Sequence, residues 1–233
     1  MTTSIFTLGP EFDLLPDDTE ETLVGASYHQ GNITQVYDGM ILCGPERGHP
    51  WFVGNQIKLV IPRQGEYPPY QPSPDILVYP TLGEGEHTSL SLVDDGPPAL
   101  IVEVASPSTA IDHDLNLTAP LGKAAVYERI GVLEYLVFDP LGTLLPGQIR
   151  AWRRGALGYA PWGPAADGRW HSAALGVSFA PQGLWLRLYD QEGQLVPTIR
   201  ESDAMRRRLA EMSQRQADEL ARLRAELRQL RGE

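Results

Sequence analysis

Three residues break the apolar pattern around them in a way that could do chemistry. Asp75 stands directly before the run Ile76-Leu77-Val78-Tyr79. Glu103 lies inside Ala99-Leu100-Ile101-Val102-Glu103-Val104-Ala105, and Lys123 opens an otherwise small and apolar helical face. A carboxylate within a buried strand is costly unless it is paired, protonated or bound to a metal. With a strand period of two, Glu103 shares a face with Ile101 and Ala105, while Val102 and Val104 face the other side. Two carboxylates from neighbouring strands can converge on a hard divalent cation such as Mg²⁺, which prefers oxygen ligands and keeps several waters. A nearby ammonium could orient or deprotonate a water, or stabilise charge on a phosphate. The combination suits hydrolysis of a phosphodiester. The same three residues could instead form a buried carboxylate–lysine pair with no substrate.

The elements that must position them can be read along the chain. Thr22 to Leu42 is partly helical in spacing, although Gly25 and Gly31 weaken that reading. Trp51-Phe52-Val53 and Ile57-Lys58-Leu59-Val60-Ile61 read as strands, the second ended by Pro62, and the proline-rich stretch 62–74 as a loop. Ile76–Tyr79 reads as a short buried strand, followed by a polar loop through Gly83 and His87. The run around Glu103 is short, β-branched and bounded by Pro97-Pro98 and Pro107, which marks a central strand. Gly122 to Ile130 is helical and Leu133 to Phe138 returns as a strand. Strand, strand, helix, strand with short links predicts a mixed α/β core with a helix on the sheet. Residues 147–190 alternate aromatic and apolar segments with Gly/Pro turns, the pattern of hairpins beside the sheet. Trp152, Trp162, Trp170 and Trp185 are expected in the core.

Composition narrows the function classes. The 233 residues carry 30 acids against 19 Lys and Arg, a net charge of −11. From Arg200 onward nine Arg face seven acids, so the first 199 residues hold a net −13. An acidic body argues against tight, unaided binding to a phosphate backbone, but not against an acidic site that recruits a cation. No stretch approaches the roughly 18 apolar residues of a membrane span. The single Cys43 cannot form an internal disulfide or a Cys-rich zinc site. The expectation is a soluble cytoplasmic protein.

The last segment differs in kind. Thr198-x-x-Glu201 after Pro197 makes a capping-box start, and no Gly or Pro follows before Leu230. Apolar residues fall at Met205, Leu209, Met212, Leu220, Leu223, Leu227 and Leu230, with a gap through Gln216. That is a short coiled-coil seam with a stutter, and dimerisation is its expected use. A solvated helix packed on its own body is the alternative. The boundaries expected are a lead over residues 1–20, a catalytic-type domain over 21–196, and a coiled-coil helix over 197–233.

The blocks Pro74-Asp75, Pro98 to Thr109 with Glu103-Val104-Ala105-Ser106-Pro107-Ser108-Thr109, Lys123-x-x-x-Tyr127, Gly131-Val132-x-Glu134-Tyr135 and Phe138-Asp139-Pro140 resemble the Uma2 family. These are restriction endonuclease-like proteins of the PD-(D/E)XK superfamily. The resemblance runs from about residue 20 to 190. It implies an α/β fold with a central mixed sheet flanked by helices, and nucleic-acid cleavage, of DNA above all, that depends on Mg²⁺ or Mn²⁺. Carried over by position, Asp75 and Glu103 are the acidic metal ligands, with the backbone carbonyl of Val104 completing the site. The superfamily lysine would stand at residue 105, which here is Ala105; in this family it looks displaced onto the next helix, where Lys123 fills the place. Asp114 matches the family's acidic residue before the lysine, although a plain loop carboxylate is its simpler role. His29 falls where many members carry a histidine on the first helix, followed here by Gln30; it could hold a metal-bound water or a phosphate, or be structural. Packing is the expected role of Tyr127.

Two functions compete at this point. One is a metal-dependent endonuclease working as a homodimer, with Asp75, Glu103 and Lys123 as its catalytic set. The other is a catalytically inactive dimeric binding or assembly module on a nuclease-like fold, favoured by the acidic body and the absent lysine at 105. Hydrolysis of a sugar bond by the carboxylate pair is the weakest alternative.

Overall fold

A computed structural model of the chain describes residues 20–83, 85–106 and 111–231. The expected N-terminal lead lies outside the described residues, apart from Glu20, and so does the Pro107-Ser108-Thr109 block. The short apolar runs form strands: β1 (Phe52–Asn55), β2 (Lys58–Val60), β3 (Ile76–Tyr79), β4 (Ser89–Ser91), β5 (Leu100–Val104), β6 (Glu134–Phe138), β7 (Ile149–Gly155), β8 (Gly158–Pro161), β9 (Trp170–His171), β10 (Ser178–Gln182) and β11 (Trp185–Tyr189). The helices are α1 (Glu20–Cys43), α2 (Ile111–Asp114), α3 (Lys123–Ile130) and α4 (Ile199–Arg231).

Six strands make the central sheet, in the order β1-β3-β5-β6-β7-β8. Only β5 and β6 are parallel; their neighbours pair antiparallel. A parallel pair needs a crossover, and α2 and α3 supply it. A three-stranded sheet, β11-β10-β9, and a parallel pair, β2 with β4, complete the fold. The mixed α/β architecture with helices against a central sheet and a long C-terminal helix is the one the sequence predicts. β4 is the departure: three residues hold it to β2, too few for a periodic signal.

Alternation along the central strands creates two apolar faces. On one, Val78, Val102 and Leu136 meet Ile33, Val36 and Met40 of α1 and Phe179 and Leu186 of the smaller sheet. On the other, Leu77, Ile101 and Val137 meet Ala124, Val126 and Tyr127 of α3 and Leu59 and Leu90 of the β2/β4 pair. Trp152 and Trp162 are buried as expected, whereas Trp185 stays partly exposed.

The helix weakened on paper by its glycines is a full 24 residues long, and the glycines explain how it packs. A Cβ at Gly31 would lie 3.0 Å from the Trp185 ring, and one at Gly39 would lie 2.9 Å from Leu188 Cδ2. Helix propensity is given up so that α1 can lie close on β11. Two amides of α1 then act like the backbone of a neighbouring strand. Asn32 accepts from Leu186 N at 2.8 Å and donates to Leu184 O at 2.9 Å, and Gln35 donates to Leu186 O at 3.0 Å. Further along β11 the returning chain takes over, with Val196 N donating to Leu188 O.

A buried carboxylate ties the large sheet to the small one. Glu134 in β6 accepts from Arg153 Nε at 2.9 Å, Ser172 Oγ at 2.5 Å and Ala173 N at 2.8 Å.

The capping box at the root of α4 forms as read. Thr198 N donates to Glu201 Oε2 at 2.8 Å and Glu201 N to Thr198 Oγ1 at 3.2 Å. Arg187 of β11 adds a two-pronged grip on the same carboxylate, at 3.0 and 2.8 Å. The Arg187 bonds, and then those at Thr198, hold the Glu201 carboxyl down to about 2. A depressed carboxyl contributes stability that is whole above its unfolded value near 4.5 and is lost as pH falls through about 2. The melting temperature of the wild type therefore falls more steeply than that of Glu201→Gln when pH drops from 5 to 2. Parallel slopes in thermal scans would remove this tether. Among the described residues no helix is long and apolar enough to cross a membrane.

Candidate active site

The two acids meet because of strand register. Antiparallel pairing sets Ile76 against Val102 and Leu77 against Ile101. One step further the same register brings Asp75 across from Glu103, on the face that carries α3. Residues opposite one another in such a pair have Cβ atoms about 5 Å apart. Asp75 fastens itself to the neighbouring strand: its Oδ2 accepts from the backbone N–H of Val104 at 2.8 Å. Its Oδ1 lies 4.0 Å from His29 Nε2 on α1.

The parallel crossover delivers the amine. Lys123 is the first residue of α3, and its Nζ donates to Glu103 Oε2 at 2.9 Å. One helical turn later Tyr127 Oη donates to Glu103 Oε1 at 2.8 Å. Tyr127 thus does more than pack. Its position four residues after Lys123, on the same helix face, was the available signal; what the tyrosine would touch depends on where α3 lies over the sheet.

Asp75, Glu103 and Lys123 line one cleft of about 170 Å³, together with Val104, Asp114, Tyr135 and His29. The residues proposed from sequence that it gathers are Asp75, Glu103, Val104, Lys123, His29 and Asp114. Gln30 is exposed on α1 and does not line the cleft. Asp114 closes α2, with its Oδ1 3.3 Å from His113 Nδ1. For Val104, the described contact with the acids is its N–H rather than its carbonyl.

The electrostatics follow from burial and sign. Glu103 is 5% exposed. Burial pushes its carboxyl up to about 7, and the charge of Asp75 adds to this against the opposing pull of Lys123 and Tyr127. Burial alone would lower Lys123, but the charge and hydrogen bond of Glu103 outweigh it and hold the ammonium above its ordinary value. Burial, then the Glu103 charge, raises the Tyr127 and Tyr135 hydroxyls well above theirs.

The donor chemistry fits a hard divalent cation. Three carboxylates against one lysine leave the cleft negative, and two of those carboxylates sit side by side on adjoining strands. Two buried polar atoms of the lining, His29 Nδ1 and Tyr135 Oη, have no hydrogen-bond partner among the described residues. Polar atoms of this kind are ordinarily satisfied by water or a ligand. Among the described residues no three His, Cys, Asp or Glu side chains are grouped to hold an ion by themselves. A cation here would take the carboxylate pair and fill its shell with backbone oxygen and water, as Mg²⁺ commonly does.

Comparison with known proteins adds the family context. The family model Uma2, described as "Putative restriction endonuclease", matches residues 11–198. The chain is also similar to a solved structure from Anabaena variabilis ATCC 29413, described as "a putative nuclease belonging to DUF820". The two are 13% identical, with 76% of this chain and 75% of that one covered and a TM-score of 0.36. No curated protein matches the chain.

Proposed function

Since the chain belongs to the Uma2 family of restriction endonuclease-like proteins, we propose that it is a divalent-metal-dependent endonuclease hydrolysing phosphodiester bonds, in DNA above all, and that it works as a homodimer through α4. The observation that carries the reading is the single cleft shared by Asp75, Glu103 and Lys123.

In this reading Asp75 and Glu103 hold Mg²⁺ or Mn²⁺, with the Val104 carbonyl as a further oxygen. A cation so bound lowers the pKa of its water and neutralises charge on the phosphate. Asp75 is held in place by the Val104 N–H, so its free oxygen keeps one direction. Tyr127 holds one oxygen of Glu103 and Lys123 the other. Lys123 stays protonated beside Glu103, which suits it to orienting a water and stabilising phosphate charge rather than to accepting a proton. Tyr135 and Val137 form the buried floor of the cleft.

The test is cleavage of supercoiled plasmid by the full chain with Mg²⁺ or Mn²⁺, stopped by a chelator. No cleavage of DNA or RNA with either ion would overturn the reading. Calorimetry reads the site directly: Asp75→Asn weakens Mn²⁺ binding at least tenfold, and unchanged binding would remove Asp75 from it. A second reading, an inactive binding module, is favoured by one observation: both Glu103 oxygens are already hydrogen-bonded, to Lys123 and Tyr127. Ion binding without cleavage of any nucleic acid is its signature.

A further inference from the structure

We propose that Arg150 is the phosphate anchor beside the cleft: it holds a backbone phosphate next to the one being cut, so that the substrate strand leaves the carboxylates across β5, β6 and β7. This rests on the nuclease reading above and adds where its substrate lies.

The placement follows from register. Pairing in the central sheet sets Glu103 beside Val137, and Val137 beside Arg150. Residues paired in this way point to the same face of a sheet. Asp75, Glu103, Val137 and Arg150 therefore form one row across β3, β5, β6 and β7. The face is the one that carries α3. Trp152, two residues after Arg150, packs in the cluster that holds Tyr127, whereas Ile149 and Ala151 pack in the other. Val137 itself lines the cleft. Arg150 is thus the next side chain in the row beyond the cleft, two strand spacings or about 10 Å from Glu103.

Charge makes this position matter. The cleft holds three carboxylates against Lys123, and Lys123 is tied to Glu103. A polyanion needs cationic contacts outside such a site. Other arginines of the body are already engaged: Arg47 with Asp190, Arg153 with Glu134, Arg169 with Asp167 and Arg187 with Glu201. Arg150 is exposed and, among the described residues, has no hydrogen bond or ion pair. Lys58 and Arg63 are equally free, but they lie on β2 and the loop after it, outside the row. On the other side of Asp75, β1 carries no Lys or Arg. The row runs from acids that suit a cation to one free guanidinium that suits a phosphate, which it can grip with two N–H groups. Successive phosphates of one strand rise by about 3.4 Å. A strand whose scissile phosphate sits over the cleft therefore carries a neighbouring phosphate past Arg150.

Steady-state cleavage of a DNA duplex by the full chain with Mg²⁺ or Mn²⁺ tests the anchor. Arg150→Gln raises KM about tenfold, the size of a lost hydrogen bond to a charged group, and leaves kcat within about twofold. The dependence of log KM on log salt becomes shallower by about one. Arg150→Lys keeps the point charge without the fork and falls between the two. Melting temperature and Mn²⁺ affinity stay at the wild-type values, because the side chain is exposed and has no partner to lose. Arg154→Gln is the control. It removes the same charge from the same face of β7, two side chains further along, and leaves KM and the salt slope as in the wild type. An unchanged KM and salt slope in Arg150→Gln, or an equal change in Arg154→Gln, would overturn the anchor and leave the nuclease reading intact. If the wild type cleaves nothing, the nuclease reading falls, and binding of a labelled duplex with Mn²⁺ decides the contact. Binding about tenfold weaker in Arg150→Gln supports it; equal binding, or none by the wild type, removes it.

Discussion

Glu103→Gln lowers metal-dependent cleavage by three orders of magnitude or more and leaves the chain at least as stable as wild type at pH 8. Three orders of magnitude correspond to about 4 kcal/mol of barrier, the scale expected when a carboxylate that holds the ion becomes neutral. The amide keeps the volume of the side chain, and its oxygen can still accept from Lys123 or Tyr127. The stability half follows from sign. The folded carboxyl lies at about 7, above its ordinary 4.5, because burial favours the neutral form. A raised carboxyl contributes stability that is whole below about 4.5 and is lost as pH climbs through 7. At pH 8 the ionised side chain therefore costs on the order of 3 kcal/mol, with the pull of Lys123 already included. In chelator, the wild-type melting temperature should fall between pH 5 and 8, and that of Glu103→Gln should fall less. Cleavage at the wild-type rate in a folded Glu103→Gln protein would end the case for this residue.

Glu134→Ala destabilises the chain by about 3 kcal/mol, because it leaves the half-exposed Arg153, a buried serine hydroxyl and a backbone N–H without their acceptor. For a chain of this size that is a fall of about 10 °C in melting temperature. Glu134 is 1% exposed and does not line the cleft. It lies in the Gly131-Val132-x-Glu134-Tyr135 block that marks the family, yet its partners Arg153, Ser172 and Ala173 all belong to the join between the sheets. Residual cleavage at low temperature should stay within a few-fold of wild type. An unchanged melting temperature would show that the join does not depend on this carboxylate.

The contrast between the two glutamates shows what the sequence could reveal. Glu103 interrupts an apolar run, and a charge there stands out whatever the fold. Its meeting with Asp75 depends on β3 and β5 being neighbours, which no local pattern dictates: the excursion through β4 separates them in the chain. Lys123 was legible as a charged residue opening an apolar helix face; Tyr127 was not legible as its companion, because tyrosine is also ordinary core filling. The extent of α1 was obscured by Gly25 and Gly31, since propensity counts their cost and cannot see the close approach to Trp185 that Gly31 allows. At α4 the opposite held. The capping box is wholly local, so Thr198 and Glu201 could be read from four residues, while Arg187 joins them from another element. β4 is too short to leave a pattern, although its partner β2 lies in a run that reads as a strand.

One packing detail of α1 has a consequence beyond holding the helix down. Strands with unpaired peptide groups are templates on which other chains can add and grow into aggregates. The side chains of Asn32 and Gln35 occupy the hydrogen-bonding positions along Leu184 and Leu186 that an invading strand would need. The first helix is therefore also a cap against self-templating: a chain in which α1 has come away displays an adhesive margin that the intact molecule keeps closed.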